Sequence, residues 1–178
     1  PLAGPVVASA VILPVNYTSE ILNDSKKLSK KVLEILEIEI KRDALAWEII
    51  EVSETEIDEI NILNASFIAM HRAVDRLKIK PELLLIDGNR FKPYVGIAHE
   101  CIVKGDGKYL SIAAASVLAK THRDRLMTNA AQQYPGYGWE TNAGYPTKKH
   151  RQAIRDLGIT PLHRKSFRLL PEQTELFK

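Results

Sequence analysis

The chain has 178 residues, enough for one domain of ordinary size with a real hydrophobic core. Its composition is 45% apolar and 26% charged, which excludes a disordered chain, and no apolar stretch reaches the ~20 residues needed to span a bilayer. Twenty-five Lys and Arg against 22 Asp and Glu leave a formal charge of +3, which permits a polyanionic partner without demanding one.

Val6–Leu13 is a continuous, β-branched apolar run that reads as a buried strand ended by Pro14. The start at Pro1 without an initiator Met leads to the expectation that residues precede it; Pro1 and Pro5 and the lack of a basic leader argue against a signal peptide. A polar loop, Asn23 to Lys27, follows. Ser29 is then a plausible N-cap for a helix to about Lys41, with Val32, Leu33, Leu36 and Ile40 as its apolar stripe. Leu45–Val52 reads as a second strand. Ser53 with Glu56 three residues later forms a possible capping box, and Asn61 to Lys78 continues as an amphipathic helix.

Two short strands follow, Leu83–Ile86 closed by Asp87-Gly88, and His99–Val103 closed by Lys104-Gly105-Asp106-Gly107. Cys101, the single cysteine, lies in the second and is expected to be buried; with no partner for a disulfide, a reducing, cytoplasmic setting is the simpler reading. Ser111 is placed as the cap of a helix to about Ala131. Gly136, Gly138, Gly144 and Pro146 mark a loop, Thr147 caps a last helix to Leu157, and Gly158 and Pro161 lead into an extended tail. The pattern predicts an α/β fold in which helices cover a sheet.

Asp87 and Asp106 are the first candidates for chemistry. Neighbouring strand ends converge on one edge of an α/β sheet, where ligands bind. Two carboxylates there suit hard divalent cations, which take oxygen ligands, keep several waters and promote phosphodiester hydrolysis. A plain turn role competes, since Asp-Gly is a common turn dipeptide. Gly105-Asp106-Gly107-Lys108 lacks phosphate-loop spacing. In the small-residue run from Ser111, Ser116, Lys120 and Asp124 fall on one side at i, i+4, i+8 spacing, which places them at solvent or in support of the site rather than in direct catalysis. Tyr145 on its own reads as a loop anchor, Lys26 and Lys27 as a solvated loop, and the five histidines show no zinc-ligand spacing.

Seven strings, in order, resemble ribonuclease HII over essentially the whole chain. They are the opening Pro1 to Val7; Asp24 to Ser29; Ile57 to Ile62 with Ala69-Met70; Leu85 to Asn89; Val103 to Asp106; Ser111 to Lys120; and Gly144 to Thr147 with His163 to Phe167. The resemblance implies an RNase H-like mixed sheet flanked by helices, with a core at about 1–135 and a C-terminal helical and tail part at about 136–178 of a single domain. It implies hydrolysis of the RNA strand of RNA–DNA hybrids and incision at ribonucleotides within duplex DNA, as in ribonucleotide excision repair. The family uses four carboxylates with Mg²⁺ or Mn²⁺, and Asp87 and Asp106 match the third and fourth. Asp124 does not match the quartet. Tyr145 matches the tyrosine that stacks on the deoxyribose at the RNA-to-DNA junction, and Lys26 and Lys27 match the basic loop that contacts phosphate.

The family motif Asp-Glu-x-Gly-Arg-Gly would stand immediately before Pro1 and is not in the sequence. It carries the other two carboxylates and lies on or beside the sheet's central first strand. The resemblance therefore implies that this strand is missing, that Val6–Leu13 and Leu83–Ile86 lack a shared neighbour, and that the chain as given is inactive. A monomer with no membrane association is expected. Two other readings stay open: a non-catalytic module holding hybrid duplexes through Lys26, Lys27 and Tyr145, and another RNase H-like nuclease such as a junction resolvase.

Overall fold

A computed structural model describes residues 1–22 and 28–171. In chain order the elements are β1 (Val6–Ile12), α1 (Lys30–Asp43), β2 (Ala46–Val52), α2 (Glu54–Arg76), β3 (Leu83–Asp87), β4 (Ala98–Ile102), α3 (Leu110–Gln133), the short α4 (Trp139–Asn142) and α5 (Lys148–Leu157). Among the described residues the strands form two sheets, β1 with β2 and β3 with β4.

The chain resolves into two compact units. One comprises residues 7–50 and 66–122; the other comprises 1–6, 51–65 and 123 onward. Helices α2 and α3 each run from one unit into the other.

In the first unit, α1 begins where the Ser29 hydroxyl accepts the Val32 N–H at 3.4 Å. Its stripe of Leu33, Leu36 and Ile40 is buried with Ala113, Ala114, Val117 and Leu118 of α3. The small alanines let that helix pack closely, and Val11, Trp47 and Ile49 of β1 and β2 pack against the same cluster. β3 and β4 are parallel, with Leu83 opposite Ala98 and Asp87 opposite Ile102. Leu84, Ile86 and Ile97 are buried beneath them with Met70 and Val74 of α2 packed alongside. Cys101 is exposed, contrary to expectation. An apolar run marks a strand without revealing which face is covered, and three of β4's five residues are exposed.

In the second unit, Leu2, Ala3, Met127, Tyr137, Trp139 and Ile154 are among the residues of a further core. α5 is capped as expected, the Thr147 hydroxyl accepting the His150 N–H at 3.1 Å. Ser53 likewise accepts the Glu56 N–H at 3.2 Å.

Two elements differ from the expectation. α3 starts at Leu110, so Ser111 lies inside the first turn and caps nothing; the Tyr109 carbonyl accepts the Ala113 N–H instead. α2 is interrupted at Asn61, whose φ of 65° and ψ of 163° lie in a region L side chains rarely adopt. Its carboxamide oxygen accepts the N–H groups of Leu63 and Asn64 at 3.0 and 3.1 Å, which restarts the helix.

Candidate functional site

The acidic site lies where β3 and β4 end side by side. Their parallel register brings Asp87 level with Ile102, and the Gly88 N–H donates to the Ile102 carbonyl at 3.0 Å. Lys104 then turns the chain in a left-handed conformation, φ 56° and ψ 44°, into a single 3-10 turn at Gly105–Gly107. Asp106 therefore sits in this turn, not at the strand end itself. The Asp87 carboxylate accepts the N–H of Gly105 at 2.9 Å, which ties one candidate acid to the residue preceding the other. Gly105 fits because a Cβ there would lie 2.6 Å from the Ile112 side chain. The turn role expected of Asp87 is thus present.

The two acids differ in environment. Asp87 is exposed, whereas Asp106 is 5% exposed. Both offer hard oxygen donors of the kind Mg²⁺ and Mn²⁺ take. Among the described residues no group of three or more His, Cys, Asp or Glu is placed to hold a metal ion. The donor chemistry of the two carboxylates fits a hard cation, which takes oxygen ligands and keeps several waters.

A cavity of about 910 Å³ opens beside Asp87. β1 lines it along Val7–Ile12 and β3 along Leu83–Asp87, with Met70, Ile112 and Ala119 at its walls. These two strands share the cavity, and among the described residues each is paired with the partner in its own sheet alone. Ser116 lines the same cavity as Asp87. Lys120 and Asp124 are half-buried, so none of the three points wholly to solvent. Lys26 and Lys27 lie outside the described residues.

Tyr145 belongs to the second unit, in the loop before α5. The residue is 55% exposed while its backbone is held by hydrogen bonds. The Tyr145 N–H donates to the Asn142 carbonyl at 2.8 Å, and its own carbonyl accepts the Thr147 N–H at 2.8 Å and His150 Nδ1 at 3.0 Å. Next to it, Gly144 has φ +79°, and a Cβ there would come within 2.4 Å of the Ala3 carbonyl oxygen. The Leu2 N–H donates to the Gly144 carbonyl at 2.7 Å, so the loop is stitched to the opening segment.

Two arginines grip that segment. Arg123 donates from Nε to the Pro5 carbonyl at 3.1 Å, from one terminal nitrogen to Ala3 at 3.1 Å, and from the other to Ala143 at 2.9 Å. Its guanidinium lies over the Tyr145 ring, 5.8 Å from the centroid. Arg164, only 1% exposed, donates to the Gly4 and Pro5 carbonyls at 3.0 and 3.3 Å and lies over the Phe167 ring at 5.2 Å. Burial, then repulsion from Arg123, pulls the Arg164 pKa down to about 10. Burial raises the Glu54 carboxyl, and attraction from Arg164 and Arg123 opposes this only in part.

Behind Tyr145 lies a buried histidine pair. Trp139 Nε1–H donates to His150 Nε2 at 3.0 Å, and the two imidazole Nε2 atoms of His150 and His163 are 3.2 Å apart. His163 Nδ1 accepts the Thr160 N–H at 2.9 Å, which places the neutral ring's proton on Nε2, from where it donates to His150. His150 in turn carries its proton on Nδ1 and donates to Tyr145. Burial lowers both pKa values, that of His163 to about 4, with the neighbouring His150 adding to the shift.

No role in this seat was assigned from sequence to Arg123, Arg164, His150 or His163. His163 and Arg164 lie in one of the strings that carry the family resemblance, so a signal existed there without a role. Arg123 sits in a run of charged helix residues that offered none.

The family model for ribonuclease HII matches residues 1–170. Ribonuclease HII of Cytophaga hutchinsonii is 63% identical over 177 residues, covering 99% of this chain and 88% of that protein. Among solved structures, the ribonuclease H2 of Pyrococcus horikoshii OT3 is similar with a TM-score of 0.80 and 25% identity, covering 95% of this chain and 89% of that one. Bst-RNase HIII in complex with Mn²⁺ shares the fold, with a TM-score of 0.69 at 16% identity, over 94% of this chain and 63% of its own.

Proposed function

The chain belongs to the ribonuclease HII family of RNase H endonucleases, and from that membership we propose that its site hydrolyses the RNA strand of RNA–DNA hybrids and incises at ribonucleotides in duplex DNA. The observation that carries this reading is the turn joining Asp87 to Asp106 through the Gly105 N–H. It supports the reading because it ties Asp87, which is exposed, to the turn that carries the buried Asp106.

Asp87 and Asp106 would hold Mg²⁺ or Mn²⁺, and two such ions supply an activated water and neutralise the leaving oxygen. The cavity wall beside Asp87 carries Ser116, which supports the acidic edge rather than reacting. Tyr145 presents an exposed aromatic face on a rigid loop, the form suited to stacking on a sugar. Lys26 and Lys27 would contact phosphate and make binding salt-sensitive. Asp87 and Asp106 match two of the four carboxylates that the family resemblance implies, and turnover at this edge depends on both.

The test is cleavage and binding of a labelled duplex carrying one ribonucleotide, with Mg²⁺ or Mn²⁺ supplied. The protein should bind it in preference to an all-DNA duplex, and cleavage should be lost on Asp87→Asn or Asp106→Asn. Equal affinity for both duplexes would overturn the substrate reading, and cleavage that survives both substitutions would overturn the ligand reading.

A further inference from the structure

Tyr145 has an exposed ring yet sits on a loop with almost no backbone freedom, and one side chain joins the two facts. Arg123 emerges from α3 and spends three donors on carbonyls from two separate segments, Ala3 and Pro5 on one side and Ala143 on the other. The bonds lie in the guanidinium plane, which fixes its orientation as a single-point ammonium could not. Its central carbon lies over the Tyr145 ring, at a distance within the ~6 Å range of a cation–π contact. Arg164 makes the same kind of grip on Gly4 and Pro5, but lies over Phe167 instead.

From this geometry we infer that Arg123 is the positioning residue for Tyr145, holding the ring in the orientation that meets the nucleic-acid sugar. The inference rests on the proposed substrate role of Tyr145 for its functional consequence, and on the structure alone for its mechanical part. Arg123 touches no substrate. Its effect passes through the ring, so removing it matters only while an aromatic ring is present.

The experiment combines binding with a direct view of the ring. Anisotropy of a fluorescein-labelled duplex with one ribonucleotide is measured for the parent, Arg123→Lys, Tyr145→Ala and the double variant. Tyrosine ring resonances are followed by NMR, Tyr145 being assigned by its loss in Tyr145→Phe. Arg123→Lys should weaken binding about two- to fivefold, the worth of a half-exposed cation–π contact, and should have no further effect in the Tyr145→Ala background. It should also shift the Tyr145 ring signals, whereas Arg164→Lys, which loosens the same opening segment, should leave them in place. An equal loss of affinity with and without the Tyr145 ring would show a general structural role and overturn the inference. Ring signals moved as much by Arg164→Lys as by Arg123→Lys would do the same. If Tyr145→Ala alone leaves binding unchanged, the substrate reading of Tyr145 fails separately; the ring signals then decide whether Arg123 orients the tyrosine.

Discussion

Acidification should destabilise the chain through the buried imidazole pair, and the size of the effect follows from His163. Its pKa falls from an ordinary 6.5 to about 4 in the folded protein. A lowered folded-state value means that the unfolded chain takes up the proton first as pH falls. The stabilising contribution is therefore intact above about pH 6.5, declines between 6.5 and 4, and is fully lost below 4. The full span is about 3.4 kcal/mol, from ~1.36 kcal/mol for each pH unit, and roughly 2 kcal/mol is gone by pH 5. That is a large part of a typical stability of ~5–15 kcal/mol. The physical reason is first the burial of the ring and then the neighbouring His150, whose own protonation on Nε2 would displace the Trp139 and His163 donors. Urea unfolding followed by tryptophan fluorescence checks this, in a Trp47→Phe background that leaves Trp139 as the reporter. His163→Gln retains an amide donor toward His150 without a titrating ring. It should be less stable at pH 7.5 but lose about 2 kcal/mol less than the parent on going to pH 5. Equal losses in both proteins would refute the assignment, because every other titrating group is common to the two.

Three further outcomes follow from particular contacts. Gly144→Ala forces a Cβ to within 2.4 Å of the Ala3 carbonyl at a left-handed φ, and should cost roughly 2–5 kcal/mol in denaturant unfolding, with matching loss of duplex binding. Burial alone would raise the Asp58 carboxyl, but hydrogen bonds from Ser166 and Lys165 outweigh it and leave its pKa below the usual range. Asp58→Ala should then cost about 1–2 kcal/mol at neutral pH, the difference narrowing as pH falls below the ordinary carboxylate range. Asp87→Asn keeps an oxygen for the Gly105 N–H and should leave the melting temperature in EDTA nearly unchanged. Millimolar Mn²⁺ should raise the melting temperature of the parent and not of this variant; equal rises would remove Asp87 from the ligand set.

The periodic and capping signals were legible because they act within a few residues. Ser29, Ser53 and Thr147 each accept the N–H three residues on, as their place before an apolar pattern predicts. The two strands closing on Asp87 and Asp106 were equally plain, since parallel neighbours must end at one edge. What sequence could not give was which competing short-range signal would win. Ser111 looks like a cap, yet α3 begins one residue earlier with Leu110, so the hydroxyl is already inside the turn. Asn61 looks like a helix-interior residue, yet its side chain satisfies two N–H groups well enough to hold a strained backbone.

The seat of Tyr145 shows the deeper limit. Arg123 donates to carbonyls about 120 residues earlier and 20 later, and backbone carbonyls carry no side-chain signature. A charged residue on a charged helix face is therefore indistinguishable by spacing from one that organises a loop. Gly144 carried a partial signal as a loop glycine, but only the proximity of Ala3 explains why no other residue fits. The two acids present the opposite case. Turn chemistry and ligand chemistry compete for the same residues in the sequence, and the structure shows the turn contact directly. By accepting the Gly105 N–H, Asp87 builds the turn that carries Asp106 to the same edge. If Asp87 also holds the metal, as proposed, its removal disturbs the turn and the ligand set together. Comparing Asp87→Asn with Asp87→Ala separates them, because only the first keeps the turn.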